Sequence, residues 1–292
     1  MENLNEKICL VTGATSGIGL ATARGLADLG ASVVIVGRNS EKLERVSTQL
    51  QQETGNPRIS SMLADLSSID QVHDLARRFQ QDFDRLDILV NNAGGFFMRR
   101  QLSPDGYEMT FALNHLSYFA LTTLLLEQIL ESAPARIINV ASDSHRSHKL
   151  EMNDLQLRRG YSGFKAYGRS KLANLLFTYE LARRLEGTQV TVNAMNPGFT
   201  ATGIWNQPAG WLAPVISPIM RMIARSPEEG AETVLYLATS SEVNNVSGKY
   251  FINRKPVPSD DSSYDQPTAR KLWEVSLRLA RIEANSHHPS SG

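Results

Sequence analysis

Residues 8–19 read Ile8-Cys-Leu-Val-Thr12-Gly13-Ala-Thr-Ser-Gly17-Ile-Gly19, and this stretch decides the fold. The apolar run Ile8–Thr12 predicts a strand, and the residues after Gly19 have helical periodicity. Glycines at a strand-to-helix turn let the backbone turn tightly and approach a phosphate closely, while the helix start presents free N–H groups. The spacing Gly-x-x-x-Gly-x-Gly differs from the Gly-x-Gly-x-x-Gly fingerprint. Its place on the first βα unit nevertheless predicts a phosphate-binding turn, in which Thr15, Ser16 and Ile18 take part.

Beyond this turn, short apolar runs alternate with longer segments of helical period. The predicted strands are Ile8–Thr12, Ser32–Val36, Arg58–Leu63, Ile88–Asn91, Arg136–Ala141 and Gln189–Met195, with a last short one at Lys249–Asn253. The predicted helices are Gly19–Gly30, Ser40–Thr54, Ile69–Phe83, Gly106–Glu131 and Ala166–Glu186. Near-continuous apolar strands that each precede a helix indicate an α/β fold, a Rossmann-type doubly wound parallel sheet with helices on both faces.

We expect a single domain over residues 1–285, with an apolar segment at 200–226 and a flexible tail at 286–292. The chain carries 30 basic and 30 acidic residues, a balance that argues against a nucleic-acid partner. Its only cysteine is Cys9, so no disulfide framework is possible and a cytoplasmic location is expected. No signal peptide is visible. The apolar stretch Phe111–Leu130 is interrupted by Asn114, His115, Ser117, Thr122 and Thr123 and predicts a buried helix, so no transmembrane segment is expected.

The end of the second predicted strand indicates which dinucleotide would bind. It reads Val33-Val-Ile-Val-Gly37-Arg38 and contains no acidic residue. An acid at this place would bind a free ribose 2′-hydroxyl, whereas Arg38 can pair with a 2′-phosphate through two N–H donors. This favours NADP(H) as the cofactor. The alternative is that Arg38 is a solvated residue at the start of a helix.

Taken together, these motifs resemble the short-chain dehydrogenase/reductase family over nearly the whole chain. Thr12-Gly13-x3-Gly17-Ile18-Gly19 is similar to that family's cofactor loop. The resemblance implies further cofactor contacts from Asp65, Leu66, Asn91, Ala93, Gly94, Tyr167, Lys171, Pro197, Gly198 and Thr200. It also implies a catalytic tetrad of Asn114, Ser142, Tyr167 and Lys171.

Within the family, the chain most resembles retinol dehydrogenases and WW-domain oxidoreductases. The resemblance rests on Ala166–Leu175, on Leu181–Leu185, on the long gap between Ser142 and Tyr167, and on a C-terminal segment at Arg270–Ser276. Protochlorophyllide reductases share the long gap, but they rely on a cysteine near the active site, which this chain lacks. The membrane-bound members carry an N-terminal anchor that is not seen in this sequence. The resemblance supports the catalytic core and leaves the substrate open.

The tetrad suits proton transfer to a carbonyl oxygen beside a hydride donor. A phenol has an unperturbed pKa of about 10, too high for easy exchange at neutral pH. Lys171 lies one helical turn after Tyr167, and its ammonium would lower the pKa of the phenol. Ser142 can donate to the substrate oxygen. The resemblance implies that Asn114 kinks its helix and holds a water that connects Lys171 to solvent.

The segment after Gly198 suggests the nature of the substrate. It contains Trp205, Trp211 and several aliphatic residues, and in the family the equivalent segment is a lid over the substrate. An apolar lid favours a lipophilic aldehyde, ketone, retinoid or steroid-like alcohol, and Phe96, Phe97 and Met98 could line the same pocket. The alternatives are that these residues pack on the core or on a second subunit, or that they contact a membrane surface.

Three histidines, His115, His145 and His148, have no metal-binding spacing, so no metal site is expected. We expect a carbonyl reductase or alcohol dehydrogenase. A catalytically silent dinucleotide-binding regulatory protein is the alternative. The part of the chain after Thr200 is too short for the substrate domain of a nucleotide-sugar epimerase. By resemblance, a homodimer would form through the helices Gly106–Glu131 and Ala166–Glu186.

Overall fold

The computed structural model describes residues 3–198 and 225–283. The predicted apolar lid lies outside these ranges apart from Arg225 and Ser226. Thr200 and the predicted tail at 286–292 also lie outside them.

The described residues form one eight-stranded sheet in the order β3-β2-β1-β4-β5-β6-β7-β8. Its strands are β1 (Ile8–Thr12), β2 (Ser32–Gly37), β3 (Ile59–Leu63), β4 (Ile88–Asn91), β5 (Ala135–Val140), β6 (Val190–Asn196), β7 (Tyr250–Ile252) and β8 (Lys255–Val257). All neighbours pair in parallel except β7 and β8. The predicted doubly wound sheet is therefore confirmed. The unpredicted β8 follows a two-residue turn, in which Asn253 and Arg254 both have positive φ.

Helices cover both faces of this sheet. They are α1 (Gly17–Asp28), α2 (Ser40–Thr54), α3 (Ile69–Asp82), α4 (Met109–Phe111), α5 (Ser117–Leu124), α6 (Leu126–Glu131), α7 (Gly163–Arg184), α8 (Pro227–Thr239) and α9 (Gln266–Leu279). Alternate residues of each central strand enter different cores: Cys9 and Val11 pack on the side of α1 and α8, and Leu10 packs on the opposite side. Both faces of the sheet are therefore dry, which explains why its strands read as continuous apolar runs.

The prediction of a single long helix over Gly106–Glu131 is wrong in detail, because the helix starts later and its regular α-helical hydrogen bonding is interrupted twice. The carboxylate of Glu108 accepts hydrogen bonds from the N–H groups of Thr110 and Phe111, so the helix begins at Met109. A π-helical turn follows over Ala112–Leu116, and the helix breaks again at Leu125. The segment is buried as predicted, and no helix in the described ranges is long and apolar enough to span a bilayer.

The C-terminal helix α9 covers the two helices that were expected to form a homodimer. Trp273 of α9 packs edge-on against Phe119 of α5 at 5.0 Å between ring centroids, and its ring lies 4.2 Å from the guanidinium of Arg184. Every residue from 166 to 181 of α7 is buried within the chain. One face of α5 and α7 is therefore occupied within the chain, and the homodimer through these helices stays a prediction.

We predict that Trp273→Ala lowers the free energy of unfolding by about 3–5 kcal/mol, because it leaves a cavity between α9, α5 and α7. Urea denaturation followed by circular dichroism measures this loss. The control is Glu274→Ala on the exposed side of the same helix, which should change stability by less than about 0.5 kcal/mol. Equal stabilities of the two variants would contradict the packing described for α9.

Candidate active site

The turn between β1 and α1 lies against the end of β4. A β-carbon at Gly13, whose φ is +65°, would lie 2.8 Å from the Cα of Ala93. A β-carbon at Gly19 would lie 2.5 Å from the carbonyl oxygen of Gly13. Since real side chains do not approach so closely, only glycine fits at both places. The amide of Asn92 donates to the carbonyl of Thr12 at 2.8 Å and fastens this contact.

The hydroxyl of Thr12 forms a second connection between the same two strands. It donates to the carbonyl of Val90 at 3.2 Å and accepts from the N–H groups of Asn92 and Ala93 at 2.8 and 3.0 Å. The hydroxyl and its three partner atoms lie at the carboxyl ends of β1 and β4, where the winding of the sheet reverses. Such a switch point is where doubly wound sheets bind their ligands.

A cleft of about 1160 Å³ opens at this point. It is lined by most of the residues predicted for the site: Gly13, Thr15, Ser16, Gly17, Ile18, Gly19, Arg38, Asp65, Leu66, Ala93, Gly94, Ser142, Tyr167, Lys171, Pro197 and Gly198. No side chain caps the start of α1 and no acid lies in its first turn. The positive end of this helix therefore faces the cleft without a competing anion, which suits a pyrophosphate.

Basic side chains line the cleft at the end of β2. Arg38 is exposed there, as the sequence predicted, and Lys42 and Arg45 of α2 line the same wall. One acid, Glu41, lies among them. The sequence-based reasoning missed Lys42 and Arg45, although they lie three residues apart on the helix predicted directly after Arg38. The wall carries an excess of positive charge that matches a phosphate monoester.

Two predicted residues do not line the cleft. The side chain of Asn91 is fully buried, where its amide donates to Thr122 and to Asn139 at 2.9 Å. Its neighbour Asn92 lines the cleft instead. The physical reason is the strand pleat, which turns successive side chains to opposite faces. The side chain of Asn91 therefore forms hydrogen bonds inside the protein and does not face the cleft.

Asn114 is also buried, and it lies in the π-helical turn. Its amide oxygen accepts from the N–H of Gly95 at 2.8 Å, while its amide nitrogen donates to the carbonyl of Gly95 and to the hydroxyl of Ser170, both at 3.0 Å. This side chain joins the segment after β4 to α7. The helix changes to a π turn here, a feature often found at functional sites. The expected kink and water stay predictions. Asn114 contacts the neighbour of Lys171 rather than the lysine itself.

Lys171 and Tyr167 form a buried pair on α7. The ammonium nitrogen donates to the carbonyl of Val140 at 2.9 Å and lies 5.6 Å from the centroid of the Tyr167 ring. A second phenol, that of Tyr118, faces the same nitrogen at 5.8 Å from its ring centroid. The 22-residue helix α7 thus places the predicted acid and its lysine one turn apart beneath the cleft.

The pKa values of this pair differ from the sequence-based expectation. Burial raises the pKa of Tyr167 to about 12, against the opposing effect of a hydrogen bond with Ser142. Burial also lowers the pKa of Lys171 to about 7. The hypothesis that the lysine lowers the pKa of the phenol is therefore not met in the protein alone. Burial is the largest effect on both pKa values, because desolvation disfavours each charged form.

The residues after Ser142 hold the end of β5 in place. His145 is fully buried, and its Nε2 accepts from the N–H of Asp260 at 3.0 Å. Since Nε2 accepts, the proton lies on Nδ1, which donates to the carbonyl of Ser142 at 2.7 Å. Asp143 accepts from the amide of Asn196 and from the hydroxyl of Tyr250. His145 and Asp143 therefore connect Ser142 to the ends of β6 and β7.

Aromatic residues form the wall beside Tyr167. Phe96 is buried and lies edge-on to the Tyr167 ring at 5.7 Å, and it packs on Phe164 at 5.1 Å. Phe97 lines the cleft, as expected, whereas Met98 is 54 % exposed and is not among the lining residues. The side of the cleft next to Tyr167 is thus apolar.

Among residues 3–198 and 225–283, no group of three or more histidine, cysteine, aspartate or glutamate side chains could hold a metal ion. The three histidines considered from the sequence are separately engaged. His115 contacts Ser276 of α9, His145 holds Ser142, and His148 lies against Gly168 of α7.

Comparisons with known proteins agree with this geometry. Residues 7–211 match the family model described as short chain dehydrogenase. The chain is 39 % identical to retinol dehydrogenase 13 of Homo sapiens, over 96 % of this chain and 86 % of that protein. It is 35 % identical to polyprenol dehydrogenase of Homo sapiens, over 95 % and 86 % of the two chains.

Two solved structures show the same architecture. An uncharacterized protein from Mycobacterium Paratuberculosis superposes with a TM-score of 0.79 at 30 % identity, over 97 % of this chain and 96 % of that one. A protein from Shigella flexneri that was crystallised with NADP superposes with a TM-score of 0.68 at 26 % identity, over 87 % and 99 % of the two chains.

We predict that the stability of the protein rises with pH because of Lys171. Its pKa is about 7 in the folded chain and about 10.5 in the unfolded chain, so the unfolded state holds the extra proton between these values. Lys171→Met should therefore remove about 2–3 kcal/mol of the increase in unfolding free energy between about pH 7 and pH 9.5. Denaturant titrations at the two pH values measure this.

The control for this prediction is Lys255→Met, which replaces an exposed lysine. That variant should keep the pH dependence of the unmodified protein. The chosen window lies above the ordinary range of histidine and below that of tyrosine. Burial raises the pKa of the Cys9 thiol, which therefore lowers stability with rising pH in this window, but it does so equally in the unmodified protein and in both variants. An identical pH dependence in both variants would show that the ammonium of Lys171 is not desolvated.

Proposed function

The chain belongs to the short-chain dehydrogenase family, in the retinol dehydrogenase subgroup, and we propose that it transfers a hydride between NADP(H) and a lipophilic carbonyl or alcohol substrate. Membership makes it an oxidoreductase that acts on CH–OH groups and uses NAD(P). The observation that carries the proposal is the buried pair of Tyr167 and Lys171 beside Ser142, in the wall of a cleft that starts at a glycine turn.

The residues of the cleft fit a dinucleotide. Gly13 and Gly19 pack closely on neighbouring protein atoms and line the cleft, and the start of α1 directs N–H groups toward it. The adenosine half of the dinucleotide would be held by Asp65, Leu66, Ala93 and Gly94. The nicotinamide half would be held by Pro197 and Gly198. When bound, the nicotinamide supplies or accepts the hydride.

The charge at the end of β2 supports NADP(H) over NAD(H). Arg38, Lys42 and Arg45 line the wall where the adenosine ribose would lie, and β2 ends without an acid that would repel a 2′-phosphate. Arginine can bind such a phosphate with two parallel N–H donors. The NADP complex of the Shigella flexneri relative adds an argument by similarity.

The protein's own groups then handle the proton. Ser142 would donate to the substrate oxygen and hold it against Tyr167, whose hydroxyl gives or takes the proton. The ammonium of Lys171 stabilises the phenolate that forms when Tyr167 gives up its proton. The carbonyl of Val140 keeps that ammonium in place, at 2.9 Å. Asn114 positions α7 through Ser170.

The apolar wall supports a lipophilic substrate. Phe96, Phe97 and Phe164 surround the approach to Tyr167, so an aliphatic or polyene chain could bury its surface there. Retinol dehydrogenase 13 and polyprenol dehydrogenase, by their names, act on alcohols of this kind. We propose a cytoplasmic location and the direction of reduction, which an NADPH-rich compartment favours.

We predict that Tyr167→Phe lowers turnover by about 10²–10⁴-fold, because it removes the proton donor and keeps the ring. The measurement is NADPH consumption over aldehydes and ketones of graded chain length. NADPH binding, followed by fluorescence, should stay within a few-fold. Tyr236→Phe on α8 makes the same chemical change away from the cleft and should leave turnover unchanged.

The same screen separates catalysis from silent dinucleotide binding. If the unmodified protein binds NADPH and consumes none with any carbonyl compound, the regulatory alternative replaces the enzyme. If Tyr167→Phe turns over normally, the proton-transfer role fails while the family assignment stands.

We predict that Arg38→Ala weakens NADPH binding by about 10–100-fold, the value of one lost charge-assisted interaction with a phosphate. NADH has no 2′-phosphate, so its affinity for the same variant should change by less than about threefold. Titration calorimetry of both dinucleotides measures the ratio. Equal losses for NADPH and NADH would assign Arg38 a structural role and remove the argument for NADP(H).

A further inference from the structure

Two loops beside the mouth of the cleft form one surface, which we call the rim surface. It consists of residues 97–102 and of residues 156–165, the last three of which begin α7. The hydroxyl of Tyr161 donates to the carbonyl of Phe97 at 2.8 Å, and the guanidinium of Arg100 donates to the carbonyl of Gln156 at 3.5 Å. A β-carbon at Gly163 would lie 2.9 Å from the Cα of Met98. The two loops therefore lie side by side.

The rim surface exposes an unusual share of large apolar side chains. Met98 is 54 % exposed, Leu102 52 % and Phe164 61 %. In the described part of the chain only two other large apolar side chains, Leu63 and Tyr264, are comparably exposed. Single exposed apolar residues are ordinary on a protein surface, but a cluster of them marks a contact with an apolar partner.

The rim surface also carries an excess of positive charge. Its two loops contain Arg99, Arg100, Arg158, Arg159 and Lys165 and no acidic residue, in a chain with equal numbers of acids and bases. All four arginines are exposed. Lys165 is partly neutralised by Glu151 at 3.4 Å. The carboxylate of Asp154, just outside the rim surface, accepts from the backbone N–H groups of Arg158 and Arg159, but no described acid forms a side-chain ion pair with the four arginines. The partner should therefore be anionic as well as apolar.

The rim surface also lies next to the site of chemistry. Phe164 packs on Phe96, and Phe96 packs on Tyr167, so three aromatic rings lead from the rim to the proposed proton donor. Phe97 belongs to the rim and lines the cleft as well. A partner that covered the rim would thus meet the opening through which an apolar substrate enters.

We propose that the rim surface binds the surface of an anionic lipid bilayer. Arginine side chains attract the negative headgroups, and the three exposed apolar side chains enter the boundary between headgroups and acyl chains. A lipid surface satisfies both properties at once, and if the proposed function is right it also holds the lipophilic substrate next to the cleft that Phe97 lines, which an acidic protein would not do. The opening of the cleft then faces the phase in which lipophilic alcohols dissolve.

The test is sedimentation of the full chain with vesicles of phosphatidylcholine, with and without phosphatidylserine, at low and high ionic strength. We expect binding to the anionic vesicles that weakens with salt. Replacing Arg99, Arg158 and Arg159 together by glutamine should lower the partition coefficient by about tenfold or more, since each basic residue near such a surface adds to binding. These three side chains are exposed, so the variant should fold normally.

A matched control removes the same charge elsewhere. Arg270, Lys271 and Arg278 are exposed on α9, and their joint replacement by glutamine should leave vesicle binding unchanged. A third variant, Met98→Gln with Leu102→Gln, keeps the charge and removes apolar contact. It should also lower the partition coefficient, while the weakening of binding by salt stays that of the unmodified chain because the charge is unchanged. NADPH binding by every variant verifies that the fold is intact.

Several outcomes would overturn the proposal. One is that no vesicle binds at low salt, and another is that the rim and α9 variants bind equally. If Met98→Gln with Leu102→Gln binds as tightly as the unmodified chain, the contact is purely electrostatic and suits an acidic protein instead. Self-association of the free protein through the rim, seen by sedimentation velocity and lost in the same variants, would assign the surface to a second copy. None of these results depends on finding a carbonyl substrate.

Discussion

The close approach of the β1 turn to the end of β4 is the constraint on which the rest of the site depends. Gly13 can lie against Ala93 only because it lacks a side chain, and Thr12 and Asn92 hold the two strand ends at that distance. The sheet reverses its winding at this point, so a cleft opens there. Every group in the proposed chemistry reaches this cleft from a strand end or from α7.

Burial decides the electrostatics of the proton-transfer pair. In the protein alone, desolvation favours a neutral phenol at Tyr167 and weakens the hold of Lys171 on its proton. A pair of groups with pKa values displaced in opposite directions is typical of functional sites. The same desolvation that makes the ammonium costly in the fold leaves its charge poorly screened, which strengthens its effect on a phenolate nearby.

The sequence predicted the sheet well because its signals are local. Each strand is an apolar run between turns, and the glycine turn has a spacing that few other structures need. The features that it did not predict depend on contacts between distant residues. Asn114 in the π turn binds Gly95, the buried Asn91 binds Thr122 and Asn139, and the pKa values of Tyr167 and Lys171 reflect how deeply α7 is buried. The packing of α9 over α5 and α7 likewise cannot be predicted from the sequence of any one of these helices.

That cover has a consequence for how the polypeptide is made. Phe119 and Phe177 emerge from the ribosome well before Trp273, which packs on both of them. Until the last helix of the fold has been synthesised, an apolar face of the nascent chain has no partner within its own sequence. Such a face invites association with other newly made chains. The protein therefore passes through a stage in which a holding chaperone would bind it, and premature termination before α9 would yield an insoluble product.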